Sequence, residues 1–479
     1  MSFSTRLLSI YILVFLYGIL SLSADPASSK QLFTSELFSK PHDEKGFPQS
    51  SAIESIFIGD PDGKMLHPLL GVNAGPSPAG RDPRNPDLTL SYRKIGVTMV
   101  RNHDFYGPLD MAVMYPNRLN DPLDMRSYDF RGSDLIWKSI FDGGFEPYFR
   151  LGDSWNNSRP PANDKELANW VKASLEVIRH YHQGKWNGFN TQFRYVEIWN
   201  EPDNDKFWPK PRSPREYYDL YVETAKAIKH AFPELKVGGP GITQAAFDTP
   251  RGKRWMNEFL IYVKKNNAPL DFFSWHIYSN DPNKYLEACN YYRQSLDDLG
   301  FQNVPMHVTE YNTDHRFLEN NRDELLALRT GGKGAAITTS GWIAMQKAGV
   351  EAATFYRGND PSMDEVAFYG MFYANGKPKR IALAFSLWSE IVKYPQSRTV
   401  NNSQNNKLWV LAGQNQEGKV AVLVSNPTET PIRYAIKGIQ GSKYVIKQVN
   451  DSSEKVNVIV HSGSEIEIGA YTVQLITTD

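Results

Sequence analysis

The sequence has one cysteine, Cys289, in 479 residues. With no partner in the chain, an intrachain disulfide, a cysteine-built zinc site and a CxxC redox pair are excluded, and the fold must stand on its core. Charge of one sign is also lacking: 53 Lys+Arg balance 53 Asp+Glu. No global field draws nucleic acid or an anionic surface to the chain, and no nucleic-acid partner is expected. No repeat of about 20 to 50 residues is visible, which argues against solenoids and propellers. A Gly-x-Ser-x-Gly elbow is missing, so a Ser-His-Asp hydrolase is disfavoured. Gly331-Gly332-Lys333-Gly334 lacks the hydroxyl after lysine that a phosphate loop needs, and reads as a loop or helix lead-in. What the chain has in quantity is apolar and aromatic side chains, 41% and 13%, enough at this length for a large core.

The one long apolar, uncharged run is Leu7 to Leu20, after Arg6 and before the small-residue stretch Leu22-Ser23-Ala24. This is the pattern of a cleaved export signal over residues 1–24, and the run is short for a permanent span. A secreted, periplasmic or extracellular protein is expected, without stable membrane insertion after cleavage.

Beyond it, short apolar runs alternate with helical periods. Leu69–Asn73, Val97–Arg101, Phe145–Phe149, Phe193–Ile198, Leu235–Gly238, Phe272–Trp275, Met306–Val308 and Ala352–Phe355 are eight candidate strands. Ser213-Pro214-Arg215-Glu216 supplies an N-cap, a first-turn proline and a capping-box glutamate to one intervening helix. Eight strands alternating with helices read as an α/β fold, a (β/α)8 TIM barrel over residues 66–393. From 394 to 479 helical periods vanish, and short β runs with turn residues between them predict an appended antiparallel β-sandwich, with Trp409 and Val422 on its inner face. Residues 25–65 are expected to add strands to it.

Function in such a barrel belongs at the C-terminal ends of the strands. The fourth candidate strand ends in Glu197-Ile198-Trp199-Asn200-Glu201-Pro202, and the seventh in Val308-Thr309-Glu310-Tyr311-Asn312. Two carboxylates facing one pocket are the equipment for glycoside hydrolysis, in which one protonates the leaving oxygen while the other attacks the sugar or activates water. His276 and Tyr278 share one strand face, as do Arg101 and His103. His307, Glu310 and His315 suggest a metal site, but on a strand positions three apart face opposite ways, so no metal and no cofactor are expected.

These segments, with Phe273-Ser274-Trp275-His276-Ile277-Tyr278 and Val100-Arg101-Asn102-His103, resemble glycoside hydrolase family 39, which contains β-xylosidases, α-L-iduronidases and enzymes that cut exopolysaccharides. The resemblance implies a retaining enzyme with Glu201 as acid/base, Glu310 as nucleophile and Asn200 bonding the sugar 2-hydroxyl. Tyr278 would bond the nucleophile, while Arg101, His103 and His276 would contact the nucleophile or the sugar. Tyr356 stands where the clan often has a Trp beneath the sugar, followed by Arg357, which would pair with a uronate carboxylate or with Asp360. Trp155, Trp208 and Trp255 are candidates for sugar stacking, although core packing is the better reading of any one of them. The expected partner is an oligo- or polysaccharide, cut at β-glycosidic bonds by a β-xylosidase-like or endo-acting enzyme. The alternatives are a uronate-specific glycosidase and a non-catalytic carbohydrate-binding barrel.

Overall fold

The computed structural model describes residues 53–77, 85–103, 107–154, 158–314, 321–402, 407–439, 441 and 443–478. The proposed export signal and Trp155 lie outside these residues. Among the described residues, no helix is long and apolar enough to cross a membrane.

The first strand, β1 (Glu54–Met65), belongs to the C-terminal sheet and precedes the barrel. The barrel strands are β2 (Gly71–Asn73), β3 (Met99–Arg101), β4 (Glu146–Leu151), β5 (Tyr195–Ile198), β6 (Lys236–Ile242), β7 (Phe272–Tyr278), β8 (Met306–Asn312) and β9 (Val350–Phe355). They pair in parallel in this order, and β9 closes on β2. Each expected strand is therefore present, with ends displaced by a few residues. Helices start where the sequence placed them: Asn163 caps Asp164–Gln183 through the N–H of Glu166, and Glu216 accepts from the N–H of Ser213 ahead of Pro214–Ala231.

Alternate residues of the strands fill the barrel in layers. Met99, Tyr148, Tyr195 and Phe272 form an apolar floor, with His307 stacked on Phe272 and bonded to the Tyr148 hydroxyl. Arg101, Glu197 and Thr309, two residues further along their strands than the floor or deeper strand positions, form a polar layer above it, and the candidate catalytic residues stand above that. His307, in the floor, and Glu310, at the mouth, both face the barrel interior, against the expectation that positions three apart face opposite ways, because the pairing of β8 with both of its neighbours shifts register between Val308 and Tyr311; His315 lies outside the described residues.

The remaining strands are β10 (Gln396–Asn402), β11 (Trp409–Gln414), β12 (Val420–Asn426), β13 (Ile432–Lys437), β14 (Lys443–Val449), β15 (Asn457–Ser462), β16 (Glu465–Ile468) and β17 (Thr472–Thr478). With β1 they make a nine-stranded sheet in the order β15-β14-β17-β12-β11-β10-β1-β13-β16. The sheet is antiparallel except that β1 runs parallel to β13. It folds over an apolar core of its own, in which Ile56, Val422, Tyr434, Ile446 and Ile466 meet. The Tyr434 hydroxyl bonds Gln474 across that core, 2.7 Å away.

The opposite face of the same strands carries Leu411, Leu423, Val449 and Leu475 into the core of the barrel. Trp409 belongs to this face, against the expectation that it points inward with Val422: strand alternation puts 410 and 412 in the sheet core and 409 and 411 toward the barrel. Asp451 caps the helix Gly332–Lys347 by accepting from the N–H of Gly332 at 2.7 Å, so the glycine-rich segment is a helix start seated on the sheet.

Candidate active site

The turn after β5 projects Glu201 over the barrel mouth. Its backbone enters the left-handed region at Trp199 (φ 76) and at Glu201 itself (φ 46), a strained conformation for side chains with a Cβ. Hydrogen bonds hold it there: Trp199 N–H to Leu151 O at 2.7 Å and Glu201 N–H to Gly241 O at 2.9 Å. Gly241 is left-handed (φ 59), and a Cβ there would crowd Glu197 Oε1 at 3.2 Å.

The two glutamates meet different surroundings. Glu201 Oε1 lies 2.8 Å from His276 Nδ1, and its Oε2 accepts from Asn204 Nδ2 at 2.9 Å. Burial pushes its pKa up to about 7, against the smaller opposing effects of Asn204, Arg101 and Lys206. Glu310, on β8, accepts from Arg101 Nη1 at 3.0 Å and from the Tyr278 hydroxyl at 2.7 Å. His103 Nε2 is 3.4 Å from the same carboxylate. Burial, then the charges of Arg101 and Arg150, drive the His103 pKa well below its ordinary value, so this contact involves a neutral imidazole. The Tyr278 phenol is pushed up, by burial first and by Glu310 next.

Beneath the carboxylates Arg101 is fully buried and spends its guanidinium on four acceptors. Nε bonds Glu197 at 2.7 Å, Nη1 bonds Asn73 at 2.9 Å as well as Glu310, and Nη2 bonds Asn200 Oδ1 at 2.6 Å. Glu197 also accepts from Thr309 Oγ1 at 2.8 Å. Burial alone would raise its pKa, but Arg101 and the hydroxyls of Ser274 and Thr309 outweigh it and hold the carboxyl below its usual value. The planar fork of arginine thereby ties three strands to Glu310, a task a lysine point charge cannot do.

The site therefore collects Glu201, Glu310, Asn200, His276, Tyr278, Arg101, His103 and Tyr356 as the sequence proposed. Tyr356 closes the wall opposite Glu201, with its ring near those of His103 and Tyr278. Sequence reasoning assigned no role to Glu197 or Asn73; the only signal was a charged residue at an inward position of an otherwise apolar strand. Asn204 and Phe207, on the loop beyond β5, line the cavity and were also missed.

Arg357 is different. It is fully buried, not at a rim, and is not among the described side chains that line the cavity. The chain folds back over it, with Arg357 N–H on Tyr369 O and Met371 N–H on Arg357 O. Asp360 makes its ion pair at 2.6 Å with Lys379, itself buried, and accepts from the N–H of Gly370, while Arg357 acts on that carboxylate only as a further favourable charge. Trp208 and Trp255 are core residues.

The cavity has a volume of about 810 Å³ and runs from His103 and Tyr356, past the two glutamates, to Gln244, Asp248 and Lys284. Ligand atoms of Glu201, His276 and Glu310 lie within 4.8 Å of one another. As a metal site this trio is poor, because the Arg101 guanidinium already occupies the cation position beside Glu310 and His276 Nδ1 is engaged with Glu201.

Comparison with known proteins agrees with this geometry. Over 260 residues the chain is 28% identical to a β-xylosidase of Geobacillus stearothermophilus, covering 48% of this chain and 49% of that one. It is 29% identical over 203 residues to a β-xylosidase of Caldicellulosiruptor saccharolyticus, covering 39% and 38%. The chain thus spans about half the length of the first relative and less of the second. Among solved structures, a glucosidase from Croceicoccus marinus superposes with a TM-score of 0.72 at 22% identity, covering 89% of this chain and 99% of that one. A family 39 β-xylosidase from Caulobacter crescentus does so with 0.66 at 18%, covering 90% and 100%; at these identities the likeness is one of fold. Residues 70–327, which carry both glutamates and the Arg101 fork, match the glycosyl hydrolases family 39, and the chain belongs to that family.

Proposed function

We propose that this protein is a retaining glycoside hydrolase that cleaves β-linked neutral sugars. The observation that carries the reading is the contrast between the two carboxyls. Glu201 is kept protonated near neutral pH by burial, while Glu310 faces a guanidinium and a phenol, donors that match a carboxylate.

In the first step Glu310 attacks the anomeric carbon as the leaving oxygen departs with the proton of Glu201, and a glycosyl ester forms on Glu310. In the second, Glu201, now a carboxylate, takes a proton from water whose oxygen attacks the same carbon and releases Glu310. Retaining enzymes hold their carboxyl groups about 5 to 5.5 Å apart, inverting ones about 6.5 to 9.5 Å; the approach of ligand oxygens to within 4.8 Å supports the former. Asn200 Nδ2, buried without a partner among the described residues, is a free donor for a sugar hydroxyl.

The β-xylosidase relatives support a pentose or similar neutral substrate, and the burial of Arg357 removes the cation on which a uronate preference would rest. Export, read from Leu7 to Leu20, belongs to the same proposal and suits a polymeric substrate outside the cell. A panel of aryl glycosides with proton NMR of the first-formed sugar tests the reading. The expected result is hydrolysis of a β-glycoside with the β-anomer appearing first; an inverted product, or activity on uronides in preference to neutral sugars, would overturn it.

A further inference from the structure

The opposite end of the barrel has a cavity of its own, about 460 Å³ in volume, between the strand N-termini and the sheet. It is lined by Asp62 and Lys64 on β1, His67 before β2, Gln346 and Lys347 at the end of the helix Gly332–Lys347, and Arg398 on β10. Its position follows from the chain: Gly349, also in its wall, directly precedes β9, whereas Glu310 and Tyr356 stand at or beyond the C-terminal ends of their strands.

The charge here is unbalanced. The one acid, Asp62, spends its oxygens on the Lys64 backbone N–H at 3.0 Å and the Ser397 hydroxyl at 3.1 Å. Lys64, Lys347 and Arg398 have no ion-pair partner among the described residues. Arg398 uses Nε on Gly59 O and Nη1 on Gln414 Oε1, which fixes the plane of its guanidinium and leaves Nη2 over. Lys347 stands over the Trp409 ring, 5.8 Å from its centroid. Gln346 is only 9% exposed, and its buried Oε1 has no partner among the described residues.

Unpaired cations around a concavity call for an oxyanion, and an unsatisfied buried acceptor calls for a hydroxyl. Inorganic sulfate offers the first without the second, and a neutral sugar the second without the first. We propose that this cavity binds an acidic sugar unit, one bearing a carboxylate or sulfate ester beside free hydroxyls, and so holds a decorated polysaccharide at a site remote from the catalytic cleft.

The test uses the full chain carrying Glu310→Gln, so that no probe is turned over, and calorimetric titration with trigalacturonic acid, xylotriose and sodium sulfate. Trigalacturonic acid is expected to bind, and sulfate about tenfold or more weakly, a difference of about 1.4 kcal/mol, while xylotriose, which the catalytic cleft would also accept, is expected to leave Lys64 and Lys347 unprotected. Lys64→Glu/Lys347→Glu, at two exposed positions, is expected to weaken trigalacturonic acid about tenfold or more, in line with losing two surface charge contacts. On the protein with native lysines, the same probe should slow acetylation of Lys64 and Lys347 in a mass-spectrometric footprint, a readout independent of the variant's folding. Equal affinity for sulfate would make this a small-anion site, and protection of Lys64 and Lys347 by xylotriose equal to that by trigalacturonic acid a neutral-sugar site; either overturns the proposal. So does the absence of binding, or binding unaffected by the charge reversals with both lysines unprotected. Hydrolysis of aryl glycosides by the wild-type protein is a separate readout, so failure here leaves the catalytic reading standing.

Discussion

His276 Nδ1 lies 2.8 Å from Glu201 Oε1 and 3.7 Å from Glu310 Oε2, so one imidazole stands between both carboxyl groups. Burial lowers its pKa, and as a neutral ring it donates from Nδ1 whenever Glu201 is ionised, since a carboxylate there only accepts. That donation favours the ionised form of Glu201. Replacing His276 by Phe is expected to move the alkaline limb of kcat/KM upward and to lower kcat on substrates with poor leaving groups. An unmoved limb would mean that the ring only fills space.

Glu201 should also leave a mark on stability. Its folded pKa of about 7 lies above the ordinary 4.5, so the folded state binds the extra proton between those values and loses stability as pH rises through that window. Below pH 4 the residue is neutral in both states. Glu201→Gln is therefore expected to stabilise the protein by roughly 3 kcal/mol at pH 8 and by nothing measurable at pH 4, checked by urea denaturation at both.

The roles of the two glutamates separate by leaving group. Glu201→Ala is expected to lose about 10²- to 10⁴-fold on unactivated glycosides, much less on activated aryl glycosides, and to regain turnover with azide as the incoming nucleophile. Glu310→Ala should fail on every substrate by itself, and any turnover that azide restores should give the inverted glycosyl azide, against the retained one from Glu201→Ala. Equal, unrescuable losses in both variants would refute the assignment.

Glu197 is fully buried and does not line the cavity, yet it neutralises the guanidinium that holds Glu310. Glu197→Gln leaves Arg101 buried with half its charge compensation and is expected to cost about 3 to 5 kcal/mol in stability. The pH profile of the remaining activity should shift as Arg101 moves toward Glu310. Thermal melting and kcat against pH are the measurements.

Leu423 is fully buried on the face of β12 that packs into the barrel. Leu423→Ala is expected to destabilise the protein by about 2 to 5 kcal/mol. The kcat of the folded fraction should be unaltered, because β12 contributes nothing to the cleft. Selective loss of catalysis in a well-folded variant would contradict this.

The barrel was legible because each of its strands is a compact apolar run, and Glu201 and Glu310 because each stands where such a run ends in polar residues. β10, β13 and β16 escaped notice: Gln396-Ser397-Arg398-Thr399 and Glu465-Ile466-Glu467-Ile468 are polar edge or half-exposed stretches that periodicity alone does not separate from loops. Trp409 was assigned to the wrong face because an aromatic residue satisfies either side of a sheet that is buried on both. The partner of Asp360 was misjudged for a different reason. Arg357 is near in sequence, but Lys379 is brought in by the start of the helix Arg380–Ile391, and no local pattern announces that approach. Asn73 and Glu197 are unremarkable letters until Arg101 is seen to reach them.

Strand β1 has a consequence for the order in which the molecule is made. Ile56 pairs with Asn402, 402 − 56 = 346 residues later, and Tyr434 follows on the other side of β1 against Glu54. Strand β1 thus stays without either neighbour until all eight barrel strands have been synthesised. Contacts of such sequence separation are slow to form and expose pairing edges in the interval. The sheet is the clasp of the fold: β1 is held between β10 and β13, two strands that follow the barrel in the chain.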